Sequence, residues 1–359
     1  MNEPIFIARQ DTLEQEILPA HWLAQYKLFG EESYTFQDKG IWKKLCMSSA
    51  AANDRDIHAE ALEEMLTTFS AEHTGKWMLL VYGTNAAALE GLATMAAIAA
   101  NGTAMGAIVD NALLMHAIAN SETAMQRIAN SQTAMQRVAN NRGAMDAIGR
   151  SRIARDAVQA SPYYNSCIKE NDMAIAKLVV GFANLASANY SSMAGVVADA
   201  TAMTAVAASS TAMTAVAASG VALKAIAQAY KNTANMLQFL KAVNASDTLI
   251  KRIYNTLTNA TALFGASQLG AQDGVADANS WATTSAAPNA FLACACGYYN
   301  SGGANVDVTY NGTAIAQNKT GTRQPGSVTS TNVNAITMAP STFTENGDGW
   351  LAVQKFTVK

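Results

Sequence analysis

Through the middle of the chain, apolar residues recur every ten positions, a spacing native to neither helix nor strand. Methionines stand at Met95, Met105, Met115, Met125, Met135 and Met145, and Arg155 takes the seventh place. Three residues after each comes a β-branched aliphatic: Ile98, Ile108, Ile118, Ile128, Val138, Ile148 and Val158. A second series follows an interruption containing Pro162, with Met193, Met203, Met213 and Leu223 trailed by Val196, Val206, Val216 and Ile226. Nine of the sixteen methionines obey this rule, so it is an internal repeat. Ten residues of α-helix turn through about 1000°, roughly 80° short of three full turns, so a straight helix would carry its Met/Ile pair around the cylinder. Either the helix is overwound in a left-handed supercoil, or it breaks once per repeat. The punctuation favours breaking: Asn120-Ser121, Asn130-Ser131 and Asn140-Asn141 occupy one phase, where Asn suits a left-handed C-cap and Ser or Asn the next N-cap. Thr123 and Thr133, with Gln126 and Gln136 three on, offer a competing capping-box register.

Burying one Met and one Ile stabilises by about 1.5–3 kcal/mol each. Ordering ten residues costs about 10–20 kcal/mol of backbone entropy before hydrogen bonds are counted. A lone repeat therefore cannot fold, and copies must stack into a continuous core. The phrase predicts a narrow solenoid or rod whose reach is set by copy number.

Elsewhere the periodicity is ordinary. Asp11-Thr12-Leu13-Glu14 has capping-box spacing and Pro19 suits a helix start. From Asp56, the residues Ile57, Ala61, Leu62, Met65, Leu66 and Phe69 fall on one helical face, with Glu60, Glu63 and Glu64 expected outward. After Phe264 alternation replaces the helical pattern. Asn305 to Tyr310, Asn311-Gly312 and Thr313 to Ala316 predict a hairpin with a type I′ turn, and Trp350 to Val358 a closing strand. The fold class is thus mainly α, a decapeptide repeat solenoid or rod, with a C-terminal all-β sandwich-like domain. The expected segments are a mostly helical N-terminal domain (1–85), a first array (86–160), a helical interruption (161–190), a second array (191–230), helices and linker (231–284) and a β-domain (285–359).

Composition narrows the function classes. Half the residues are hydrophobic but only 7% are aromatic, so the repeat core is thin and alanine-rich. Net charge is −3, which gives no whole-chain case for nucleic acid. Residues 1–90 hold 14 acids and 7 bases, 91–270 hold 8 and 13, and 271–359 hold 5 and 4, so an acidic head precedes a mildly basic middle. Cys46, Cys167, Cys294 and Cys296 are too few for a disulfide framework. The first residues lack a signal-peptide pattern. The uncharged stretch from Ala200 to Leu223 is too rich in Ala, Ser and Thr to favour membrane insertion.

No nucleophile, acid pair or cofactor motif emerges. His58 followed by Ala59 and Leu62 does not make the helical zinc signature, which needs Glu next and His four on. Asp273 with Asp277, or Glu345 with Asp348, could ligate a cation, though turn-forming roles suit them better. Arg127, Arg137, Arg142, Arg150, Arg152 and Arg155 make a basic segment, read either as a solvated edge or as a docking strip for an acidic partner. Tyr298, Tyr299, Tyr310 and Trp350 are candidate ligand-stacking rings, the alternative being core packing.

The phrases TAMQRIANSQTAMQRVAN and TAMTAVAASSTAMTAVAAS resemble decapeptide arrays of tail-fibre-like and other appendage proteins of tailed bacteriophages. The segment running from Cys296-Gly297-Tyr298-Tyr299 to Asp348-Gly349 is similar to a β-domain accompanying such arrays. This resemblance spans roughly 90–230 and 290–359, and the first 85 residues lie outside it. It implies a virion structural protein of the tail, baseplate or neck, with other virion proteins as partners, a homo-oligomeric state, and neither catalytic residue nor cofactor. The runner-up function is a β-domain that reads a host receptor or glycan. Neither nucleic-acid binding nor membrane insertion is expected.

Overall fold

A computed structural model of the chain describes residues 55–67, 74–75, 78–79, 87–273, 279–283, 289–298, 304–323, 327–338, 340–347 and 349–359. The expected elements at Asp11 and Pro19 lie outside the described residues. The chain divides into two compact units, Met1–Ile168 and Lys169–Lys359.

In the first unit, α1 (Arg55–Thr67) and the short α2 (Ala87–Glu90) precede seven helices: α3 (Met95–Ala100), α4 (Gly102–Val109), α5 (Ala112–Ala119), α6 (Glu122–Ala129), α7 (Gln132–Ala139), α8 (Arg142–Arg150) and α9 (Arg152–Ala160). Each decad is one helix. Its corner is sharp: α4 and α5 meet at 102°. Every helix packs on the third one after it, α3 on α6, α4 on α7, α5 on α8 and α6 on α9. Three decads therefore make one turn of a three-sided coil. The Met/Ile pairs named above face its axis: Ile98, Met105, Ile108, Met115, Ile118, Met125, Ile128, Met135, Val138, Met145 and Ile148 are all fully buried, and Met95 nearly so.

The N-cap positions explain how turns join. Ser121, Ser131, Asn141 and Ser151 sit in extended backbone and accept from the amide three residues on. The serine hydroxyls also donate backward by one full turn: Ser131 to the Ala99 carbonyl (2.6 Å) and Ser151 to the Ala119 carbonyl (2.5 Å). Ser161, at the end of α9, donates likewise to Ala129. One hydroxyl thus satisfies an orphan amide at its own helix start and an orphan carbonyl at the helix end beneath. Asn141 caps α8 and reaches Asp110 instead (2.9 Å). The expected left-handed C-caps do not form. Asn120, Asn130 and Asn140 have φ of −104°, −91° and −95°. Only one residue separates each of them from the next helix, and it is already the extended N-cap, which leaves no room for a left-handed exit.

Glu63 departs from its expected outward, solvated placement. Its carboxylate accepts from the Thr123 amide (3.1 Å), the Thr123 hydroxyl (2.5 Å) and the Ser121 hydroxyl. It therefore caps the positive end of α6 from α1. Arg155, in the methionine place, turns its guanidinium to the Gly149 carbonyl (2.7 Å) and so satisfies a carbonyl at the end of α8, the helix before its own. Partial burial pulls its pKa down, with Asp156 offsetting part of the effect.

The second unit repeats the construction and then changes class. After α10 (Asp172–Phe182) come α11 (Met193–Ala198), α12 (Ala200–Ala208), α13 (Ser210–Ala218) and α14 (Gly220–Gln228), then the longer α15 (Thr233–Asn244) and α16 (Asp247–Asn259). Packing again skips two helices: α10 on α13, α11 on α14, α12 on α15, α13 on α16. Met193, Met203, Val206, Met213 and Val216 are buried. The corner between α12 and α13 is 101°. No single helix among the described residues is long and apolar enough to cross a membrane.

The β region begins at Phe264, ahead of the boundary expected at 285. Its strands are β1 (Phe264–Asp273), β2 (Asn279–Thr283), β3 (Ala290–Tyr298), β4 (Ala304–Tyr310), β5 (Thr313–Thr320), β6 (Thr322–Arg323), β7 (Ala335–Met338), β8 (Ser341–Gly347) and β9 (Gly349–Val358). One sheet runs β1-β9-β3-β6, with β7 also pairing β3, and the other runs β2-β8-β4-β5. All pairs are antiparallel except the short β3/β6 contact. The β4/β5 turn has Asn311 and Gly312 at φ 47° and 76°, the type I′ signature.

Ala290 to Cys296 are all buried because β3 is covered on both faces. Strands β4 and β8 lie over one face of its sheet, while α14, α15 and α16 pack against the other. Its continuous apolar run is the mark of such a strand. Asn244 of α15 ties helix to sheet, its amide donating to the Ile336 carbonyl (2.7 Å) and accepting from the Ile336 amide (3.1 Å). Tyr254 of α16 sets its hydroxyl within hydrogen-bond distance of the Val328 carbonyl (3.0 Å) and the Gln354 side-chain amide (2.9 Å), with its ring edge-on to Phe356. The sheets and the second array accordingly share one compact unit.

Candidate functional site

The six arginines of the expected docking strip do not share a surface. Arg127 lies on α6, Arg137 on α7, Arg142 and Arg150 on α8, and Arg152 and Arg155 on α9. Because α6 stacks on α9, α7 on α4 and α8 on α5, α6 and α9 form one side of the coil, α7 the second and α8 the third. Equal phase in the repeat places side chains on different sides. Arg152 is occupied by an exposed pair with Asp156 (3.4 Å), Arg137 lies beside Gly102, and Arg155 is turned inward.

The candidate stacking rings fare similarly. Tyr310 is 1% exposed and Trp350 fully buried, so neither can offer a face to a ligand. Trp350 lies across Gly297, where a Cβ would come within 2.3 Å of the indole. The Tyr310 hydroxyl donates to the Tyr230 carbonyl (3.3 Å), and burial raises its pKa. Tyr298 is half-buried, and Tyr299 lies outside the described residues. The side chains of Asp273, Asp277, Glu345 and Asp348 also fall outside them. Cys294 and Cys296 share a face of β3 as buried free thiols, and burial, with Cys296 adding to it, pushes the Cys294 thiol well up. Among the described residues no three His, Cys, Asp or Glu side chains are grouped as metal ligands.

A site does take shape in the second unit, on α16. The buried face of α16 carries Ile250, Ile253, Tyr254 and Leu257. Its opposite face carries Thr248, Lys251, Arg252, Asn255 and Asn259, which line a cleft of about 560 Å³ with Lys169, Glu170, Ala218, Thr256 and Ala260. The cleft wall is fixed by Thr256, whose hydroxyl donates to the Ala217 carbonyl at the end of α13 (2.8 Å). Its floor is fixed by Glu170, which accepts from the Gly220 and Val221 amides (3.2 and 3.1 Å) and so caps α14. Gly220 permits this approach: a Cβ there would lie 3.0 Å from Leu263, 3.1 Å from Ala260 and 3.3 Å from Glu170. Lys169 stands 3.8 Å from the same carboxylate. The helix start and Lys169 thus share the one acid of the cleft, while Lys251 and Arg252 have no ion pair among the described residues. Neither this polar face nor its partners about eighty residues upstream were singled out from the sequence.

No protein-family profile matches this chain, and no curated protein sequence matches it either.

Proposed function

We propose that the chain is a structural component of a tailed-bacteriophage particle, in the tail, baseplate or neck, with the repeats as spacer and the ends for attachment to other virion proteins. The observation that supports this reading is the coil itself. Its turns are joined by a buried Met/Ile seam and by cap hydroxyls bonded to the turn beneath, a device that extends a stiff element by adding copies. Stacked helices lie about 8–10 Å apart, so each turn of three decads adds about that much length. A receptor- or glycan-reading β region loses two of its four candidate rings to the core.

The test is co-purification. Tailed phage particles from a producing culture, banded by density and freed of cell debris, should carry this chain at a fixed ratio to the major capsid protein, measured by mass spectrometry. Recovery of the chain only from particle-free lysate overturns the assignment. Native mass measurement of the purified chain is expected to give a homo-oligomer.

A further inference from the structure

We infer that the cleft along α16 is a docking groove for an extended, acidic segment of a partner protein. This rests on the cleft alone and not on the virion reading.

Three features converge. The first is charge. Lys169, Lys251 and Arg252 face the cleft against one acid, Glu170, whose carboxylate is committed to two backbone amides of α14. The cleft is therefore electropositive, on a chain whose net charge is −3, and favours carboxylates. The second is shape. From Thr248 to Asn259 the polar face of α16 extends about 16 Å, which matches about five residues of extended chain and is too long for one small anion. The cleft is shallow and lined by exposed side chains, without the enclosed ring of donors that holds a phosphate.

The third feature is the paired amides. Asn255 and Asn259 stand one helical turn apart and face the cleft, and their side-chain amides make no hydrogen bond among the described residues. An Asn amide carries a donor and an acceptor at the spacing of a peptide group. Asn244 uses both on the extended backbone at Ile336 within this same unit. Asn255 and Asn259 are placed to do the same for a foreign strand, while Lys251 and Arg252 bind its carboxylates.

The experiment uses the full chain and a fluorescein-labelled six-residue peptide of alternating Glu and Gly, blocked at both ends, read by anisotropy. Saturable binding is expected to weaken as salt rises from about 50 to about 300 mM, and the Gln counterpart should bind about tenfold more weakly. K251E/R252E, on an exposed face, should lose about tenfold with an unchanged melting curve; K251Q/R252Q serves if charge reversal perturbs folding. N255A/N259A should lose affinity severalfold while keeping the salt dependence. Inorganic pyrophosphate should compete only weakly. Absence of saturable binding, or wild-type binding by both charge variants, overturns the proposal. So does efficient displacement by pyrophosphate together with full binding by N255A/N259A, which would identify a simple anion site.

Discussion

At the scale of single residues, the coil depends on a hydroxyl that serves two helices. Ser151 accepts from the Ala154 amide and donates to the Ala119 carbonyl, and it is 3% exposed. Replacing it with Ala leaves both groups buried and unpaired, so Ser151→Ala should cost about 2–3 kcal/mol in urea denaturation. Asn101 caps α4 in the same way but makes no backward side-chain bond among the described residues, so Asn101→Ala should cost only about 1 kcal/mol. Equal losses at the two sites would mean that the backward bond contributes nothing. The burial of Met125 and Ile128 was legible because it is local, a matter of spacing along one helix. Glu63 was not, because its partners Ser121 and Thr123 lie 58 and 60 residues away. A carboxylate on a polar helical face looks solvated until the helix end it caps is known.

At the scale of elements, ten residues make one helix plus one corner, and the sequence showed this through its caps. The number of sides was hidden, because three follows from the backbone angles at the joint: Ser131 at φ −117°, ψ 118° turns the chain by an amount that no residue type states. That hidden count scattered the arginine strip. Local phase was read correctly, and the side of the coil on which each phase falls was not. A deletion series tests the element as the unit of construction. Removing residues 131–140 takes out one helix and its cap and joins Asn130 to Asn141 in phase. The first unit of the product should keep a cooperative unfolding transition, with a modestly reduced m-value. Removing residues 131–135 breaks the phase, exposes the Met/Ile seam of a fused helix, and should abolish the first unit's transition while leaving that of residues 169–359. Equal stability of the two shortened chains would refute the decad as the folding unit.

For the whole molecule, the change from helical to alternating pattern announced a β region, but the place where it begins was misjudged. Strand β1 reads poorly because its sequence, FGASQLGAQD, is rich in Gly and polar residues; it forms through its register with β9 from Phe264↔Val358 onward. That the expected helices of 231–284 cover this sheet was equally hidden, although the unbroken apolar run of β3 required something on both faces. A fragment of residues 285–359 lacks β1, β2 and the helices packed on the sheet, so it should be insoluble or lack dispersed amide resonances. A fragment of residues 169–359 should fold, as judged by the same spectra. A well-folded short fragment would show that the helical layer is dispensable.

The three-sided coil has one more consequence. Each added decad lengthens the stack by only about 3 Å but swings everything downstream by roughly a third of a revolution. Copy number counted modulo three therefore acts as a compass bearing. A homologue with three more repeats would aim its remaining chain the same way from slightly farther out, whereas one with a single extra repeat would point it elsewhere. Evolution by duplication should thus proceed in triplets wherever heading matters.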